Sequence, residues 1–194
     1  MTDGIDVAAF RRAERQRLLA ARDATDADAR AGWSDAITRL LAERIEALAP
    51  RMLGFYWPHR GEYDPVPVIS RVIERGGQVA LPLVVAKTQP LEYRAWRPGM
   101  EMTPSRRSFG ILYPAQGPAV TPDAMLIPLL GFDGYGYRLG YGGGYFDRTL
   151  AAFAPRPMTI GVGFELGRLA TIHPQPHDIP MDMIVTEQGV QRMG

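Results

Sequence analysis

Apolar residues recur at helical period over the first fifty positions and in shorter blocks after that. The first pattern predicts a helix over residues 8–23, from Ala8-Ala9-Phe10 through Leu18-Leu19-Ala20-Ala21. Thr25-Asp26-Ala27-Asp28 then resembles a capping box, with Asp at the Glu/Gln position. Trp33, Ile37, Leu40, Leu41, Ile45 and Leu48 fall at helical spacing in the next helix, which Pro50 ends. From there the spacing changes. Leu53 to Trp57 reads as a buried strand stopped by Pro58, and Pro65 to Arg75 as a helix closed by Gly76-Gly77. Gln78 to Val85 is a strand, and Leu91 to Trp96 alternates as a half-exposed strand does. Residues 97–123 are rich in Pro and Gly, with one short strand expected at Phe109 to Leu112. Ala124 to Leu130 and Met158 to Phe164 are strands, a helix runs from about Tyr145 to Phe153, and Ile184-Val185 is a last short strand. Strands alternating with helices predict an α/β fold: an open, mostly parallel sheet flanked by helices. Residues 1–194 form a single domain in this reading, with helical residues 8–49 packed on the sheet.

Composition narrows the function classes. The 194 residues are 46% apolar and 22% charged, as in a soluble globular chain. No apolar run reaches the roughly 18 residues of a membrane span. The acidic start Met1-Thr2-Asp3-Gly4-Ile5-Asp6 does not resemble a secretory signal. A net charge of +1 disfavours nucleic-acid binding by bulk electrostatics. There is no cysteine, which excludes disulfides, thiolate nucleophiles and Cys-based zinc sites, and fits a cytoplasmic location. Lys87 is the only lysine, so any other phosphate-binding cation must be an arginine.

Four segments could carry chemistry. Residues 131–144 hold seven glycines between a predicted strand and a predicted helix, flanked by Arg138 and Asp147. Glycines at the carboxyl end of a parallel strand let backbone N–H groups approach an anion, and the next helix N-terminus adds its dipole. The loop is neither a P-loop nor a dinucleotide fingerprint, because it has no Gly-Lys-Ser/Thr triplet and no Gly-x-Gly-x-x-Gly. In the first helix Arg11, Arg15 and Arg22 fall within about 40° on the helical wheel, a stripe that is either a solvated face or an anion site. Trp57 and Glu62 follow a buried strand and could stack on a flat heterocycle and accept its N–H bonds, or be a core aromatic and a loop acid. The prolines within His173 to Asp182 forbid a helical zinc pair; Asp178 and Asp182 suit Mg²⁺ better, or cap the loop.

Arg138-Leu139-Gly140-Tyr141-Gly142-Gly143-Gly144-Tyr145-Phe146-Asp147 resembles the signature of the 5-formyltetrahydrofolate cyclo-ligase family. Arg11-x3-Arg15, Gly61-Glu62, Leu81-Pro82, Phe109-Gly110-Ile111 and Pro176 to Asp182 match in family order, over roughly residues 9–190. The resemblance implies a fold like that of sugar-phosphate isomerases and CoA transferases. It implies ATP- and Mg²⁺-dependent cyclisation of 5-formyltetrahydrofolate, with or without a polyglutamate tail, to 5,10-methenyltetrahydrofolate through a phosphorylated formyl group. It makes Arg138 and Tyr145 catalytic. Arg11, Arg15 and the loop Arg138, Leu139, Gly140, Tyr141, Gly142, Gly143, Gly144, Tyr145 and Phe146 would bind ATP. Trp57, Glu62 and Tyr145 would bind the folate, and Asp147 and Asp178 would bind the metal. Phe146 stands where tyrosine is frequent and Tyr113 where glutamate is, so Tyr113 receives no role. The expected assembly is a monomer without nucleic-acid or membrane partners. The rival readings are a non-catalytic folate or nucleotide binder and a sugar-phosphate isomerase that needs no ATP.

Overall fold

Successive side chains of a strand point to opposite faces, so the alternation along each strand decides where the helices can dock. A computed structural model describes residues 5–193; of the acidic stretch Met1–Asp6, residues 1–4 lie outside the described ones. The helices are α1 (Val7–Asp23), α2 (Ala27–Leu48), α3 (Val66–Glu74) and α4 (Tyr145–Ala152). The strands are β1 (Met52–Gly54), β2 (Gln78–Leu83), β3 (Glu92–Trp96), β4 (Met102–Pro104), β5 (Leu112–Pro114) and β6 (Ala119–Val120), followed by β7 (Ala124–Pro128), β8 (Gly131–Phe132), β9 (Arg138–Leu139), β10 (Met158–Val162), β11 (Met183–Thr186) and β12 (Gly189–Arg192).

Eight strands form one sheet in the order β12-β11-β10-β7-β1-β2-β3-β6. The five from β11 to β2 run parallel, while β12, β3 and β6 pair antiparallel at the edges. Leu53, Val79, Leu81, Leu126, Ile160 and Val185 form one face, which packs on Ile37, Leu41 and Ile45 of α2 and Val68 and Ile69 of α3. Ala80, Met125, Ile127 and Ile184 form the opposite face, which packs on Leu150 of α4. Each fully buried aliphatic side chain contributes about 1.5–3 kcal/mol, so this alternation fixes the register of the central strands.

Several elements differ from expectation. The N-cap of α2 is Asp26, whose carboxylate accepts the N–H bonds of Asp28 and Ala29, so Thr25 does not open a capping box. Helix α1 does not lie on the sheet as α2 does; its Leu18 packs beyond the strand ends, with Leu130, Leu139 and Ile172. The strand expected at Phe109 to Leu112 is displaced to β5, because Phe109 (φ 50°) and Gly110 (φ 75°) make a turn. The strand expected over Leu53 to Trp57 leaves the ladder after Phe55 donates its N–H to Ala80. Strand β12 was not anticipated, because Gly189-Val190-Gln191-Arg192 carries too little apolar alternation to announce a strand.

The order of strands places a switch point in the middle of the sheet. From β1 the chain moves to β2 on one side, and from β7 it moves to β10 and β11 on the other. Ligands of open α/β sheets bind outside the carboxyl ends of the strands at such a point. Both segments that leave it, Phe55 to Glu62 after β1 and Leu129 to Tyr145 after β7, carry candidate residues.

Within the second segment β8 and β9 form a hairpin whose turn is held by Asp133, fully buried. Its carboxylate accepts N–H bonds from Tyr135 (3.0 Å), Tyr137 (3.2 Å) and Ile172 (3.1 Å). Replacing Asp133 with Ala strands these amides, so urea unfolding is expected to show a loss of about 2–4 kcal/mol. A loss under about 0.5 kcal/mol would show that the hairpin does not need this hub.

Candidate active site

The site residues that the family resemblance implies line one cleft of about 360 Å³, namely Arg11, Arg15, Trp57, Glu62 and Asp178 and the whole run from Arg138 to Asp147, whereas Asp182 lies outside it, engaged by Arg156 and Thr159. The run from β9 into α4 supplies the floor. Gly144 caps α4 with φ 63°, and Gly142 has φ 96° with the Arg15 guanidinium 3.4 Å from where a Cβ would sit. Side chains at these two positions would strain the backbone and fill the space over it. The first turn of α4 has no side-chain cap, so its N–H groups are left for a ligand.

Helix α1 crosses above this floor and contributes two arginines. Arg11 donates Nε to the Ile172 carbonyl (3.0 Å) and Nη2 to the His173 carbonyl (2.9 Å), and forms an ion pair with Asp178. Burial raises the Asp178 carboxyl, but Arg11 and the Gln175 N–H (2.6 Å) outweigh it and hold the group below the usual carboxylate range. Arg15 donates Nε to the Gly140 carbonyl (2.8 Å) and has no ion pair among the described residues. Burial first, then the neighbouring Arg11 charge, push its guanidinium below the ordinary value, with Asp178 opposing. The third arginine of the stripe does not join them. Arg22 is 2% exposed and donates to the Leu129 carbonyl (2.9 Å) and to the Tyr141 hydroxyl (3.4 Å).

Arg138 is buried beneath the loop. Its Nη2 pairs with Asp147 at 2.9 Å and its Nη1 donates to the Ile179 carbonyl at 2.9 Å. Burial pushes its guanidinium down and Asp147 holds it up. Asp147 Oδ1 also accepts the Ile179 N–H (3.0 Å), so this carboxylate does not cap its own helix; it ties α4 to the segment after Ile172. Oδ2 of Asp147 accepts no hydrogen bond among the described residues. Tyr145 turns its ring under the Arg148 guanidinium, 5.0 Å away, and the Phe146 ring lies 6.0 Å from Arg138.

At the other end of the cleft, Trp57 is both a packed aromatic and a lining residue. It packs edge-on to Trp96, centroids 6.1 Å apart, and still lines the cleft. Glu62 Oε2 accepts the His59 N–H at 2.9 Å. Burial lifts its carboxyl from 4.5 to about 7, opposed by the His59 N–H, the Arg22 charge and a hydrogen bond from Tyr141.

The match to known proteins is decisive at this point. Residues 7–187 match the model of the 5-formyltetrahydrofolate cyclo-ligase family. The chain belongs to this family. It is 31% identical over 172 residues to the 5-formyltetrahydrofolate cyclo-ligase of Mycolicibacterium smegmatis, covering 83% of this chain and 81% of that one. It is 29% identical over 137 residues to the Escherichia coli protein of the same name, covering 67% and 74%. The solution structure of 5,10-methenyltetrahydrofolate synthetase from Aquifex aeolicus superposes with a TM-score of 0.80 at 27% identity, over 94% and 92% of the two chains. The synthetase from Mycoplasma pneumoniae, at 20% identity, shares the fold with a TM-score of 0.76 over 91% and 98%.

The cleft is also lined by residues that the sequence left without a role. Loop residues Ser105, Arg107 and Ser108 line it, as do Phe109 and Tyr113, the latter paired with Thr103 in the β4–β5 hairpin. Tyr141, expected only as part of the nucleotide loop, accepts from Arg22 and donates its hydroxyl to the carbonyl of His59 (3.5 Å), the residue whose N–H holds Glu62. Nothing local in the sequence marks that bridge, since its partners are separated by 82 and 119 positions.

The raised Glu62 carboxyl has a stability consequence. Below pH 4.5 both folded and unfolded chains hold the proton. Between there and about pH 7 only the folded chain holds it, so stability falls as pH rises through this window. By pH 8 the accumulated loss is about 3 kcal/mol relative to a residue that does not titrate. Urea unfolding of the ligand-free chain and of Glu62→Gln at pH 5 and pH 8 is expected to show the variant gaining that margin at the higher pH. A pH-independent difference would place the Glu62 carboxyl in the ordinary range.

Proposed function

We propose that the chain cyclises 5-formyltetrahydrofolate to 5,10-methenyltetrahydrofolate at the expense of ATP, releasing ADP and phosphate through a phosphorylated formyl group, in the cytoplasm and as a monomer. Family membership supports the folate half of this reading. Arg15 supports the nucleotide half: it is a half-buried cation answered only by a carbonyl, beside two glycines that leave room above it and a helix start with unpartnered N–H groups. Such an arrangement fits phosphates, whose transfer depends mainly on positioning and charge neutralisation.

The geometry supports the remaining roles in this reading. Arg11, oriented by Asp178, adds a second guanidinium to the phosphate end. Glu62 accepts the pterin N–H groups, giving up its proton to do so, while Trp57 packs on the ring. Arg138 is held rigid by Asp147 and the Ile179 carbonyl, so together with Tyr145 it orients the formyl group without reorganising. Because N10 must approach the formyl carbon for the ring to close, this fixed orientation lowers the entropy cost of the step.

Magnesium would neutralise charge between the outer phosphates. Among the described residues no three His, Asp or Glu side chains form a cage for it. The free Oδ2 of Asp147 fits a cation that arrives with phosphates and water as its other ligands. Asp178 is already engaged by Arg11, so the reading keeps it as the orienting partner of that arginine in place of a metal ligand.

Two substitutions test this division, with phosphate release as the readout. Arg15→Ala is expected to raise KM for ATP about tenfold or more, a loss of about 1.5–3 kcal/mol, with KM for the folate within about twofold. Unchanged ATP dependence in a folded variant would make Arg15 a solvated cation. Asp147→Asn is expected to lower turnover about a hundredfold, partly restored by excess Mg²⁺. Turnover near normal at low Mg²⁺ would leave Asp147 solely as the anchor of Arg138.

A further inference from the structure

Residues 105–111 form one wall of the cleft without a part in the roles above. The loop closes on itself. Ser105 donates its N–H to the Ile111 carbonyl (3.0 Å), and Gly110 donates to the Ser105 carbonyl (3.0 Å). Ile111 donates to the Ser108 carbonyl (2.8 Å), and the buried Ser105 hydroxyl accepts the Arg107 N–H (3.2 Å). At the tip, Phe109 is 75% exposed and has φ 50°, a conformation that costs a bulky side chain energy. The fold thus holds a phenyl ring out into solvent on a tied loop, at the rim of the cleft.

The ring has a defined setting. It stacks on His59 with centroids 5.7 Å apart and planes 19° apart, and it lies 6.4 Å from Tyr141. His59 is also the residue whose N–H holds Glu62. Phe109 therefore stands at the Glu62 end of the cleft. On the same loop, Arg107 lines the cleft, is exposed, and has no ion pair among the described residues.

We propose that Phe109 and Arg107 clamp the part of the substrate beyond the pterin, Phe109 stacking on the p-aminobenzoyl ring and Arg107 pairing with a glutamate carboxylate. This rests on the folate reading above. With the pterin held at Glu62 and Trp57, the tail must leave over the rim, where the flat ring and the unpaired guanidinium stand in that order of chemistry. An aromatic ring prefers an offset-stacked or edge-on partner, and a guanidinium suits a carboxylate through a bidentate pair. The strained, self-closed loop sets both side chains before binding, so little ordering is left to be done by the ligand.

Three ligands separate the parts: 5-formyltetrahydrofolate, 5-formyltetrahydropteroate without the glutamate, and a 5-formyl-6-methyltetrahydropterin without the tail. Their affinities are to be measured by calorimetry for the wild-type chain, Phe109→Ala, Phe109→Tyr and Arg107→Ala. Phe109→Ala should weaken the first two about five- to tenfold, leave the third within about twofold, and be rescued by Phe109→Tyr. Arg107→Ala should weaken only the first, about tenfold. Both side chains are exposed, so melting temperatures should stay near wild type. Equal losses on all three ligands, no loss on any, or a loss confined to ATP would each overturn the clamp. A wild-type chain that binds none of the three would overturn the folate reading itself, and the clamp with it.

Discussion

Guanidinium groups gathered in one partly buried cleft repel each other, and much of the site can be understood as the answer to that repulsion. Arg11 is answered by Asp178 and Arg138 by Asp147, each pair adding carbonyl partners that complete the guanidinium's hydrogen bonds. Buried pairs contribute little net stability, yet breaking one is costly, so each carboxylate is bound to its arginine's fate. Arg15 is left with the Gly140 carbonyl alone. Of these three cations two are neutralised internally, which leaves Arg15 with its charge available beside the bare N–H groups of α4.

The fold makes this gathering possible through its switch point. Strands β1 and β7 are neighbours in the sheet but lead to opposite sides, so the segments after them meet over the same strand ends. Asp133 then fixes the hairpin after β7, and Leu18 anchors α1 across Leu130 and Leu139, carrying Arg11 and Arg15 over the glycine loop. Arg22, two turns further along α1, is drawn under the loop, where it holds Tyr141, whose hydroxyl holds His59, whose N–H in turn holds Glu62. One helix thereby links the cationic end of the cleft to its carboxyl end.

Much of this was legible in the sequence, for reasons that differ by residue. The glycine run between a strand and a helix was legible as a loop open to close approach, and the positive φ of Gly142 and Gly144 leaves that space, part of it taken by the Arg15 guanidinium. The succession of strands and helices announced a sheet covered on both sides. The arginine stripe was legible as a stripe, but helical spacing could not say that α1 would sit beyond the strand ends, nor that Arg22 would be buried while Arg15 was not. Asp178 was read as a metal ligand from its type, and Asp147 from the family resemblance. Their engagement by Arg11 and Arg138 depends on contacts across 167 and 9 positions that no local pattern encodes. The loop around Phe109 was read as a strand because its apolar residues outweighed the turn that Gly110 permits.

The central claim is that this cleft joins a nucleotide at its arginine end to a folate at its Glu62 end. The most direct measurement is the absorbance of the 5,10-methenyltetrahydrofolate product during incubation of the chain with 5-formyltetrahydrofolate, with and without ATP and Mg²⁺. The account predicts that the product band grows only when all components are present, with one ADP formed per product. Growth of the band without ATP, or its absence with every component supplied, would contradict it.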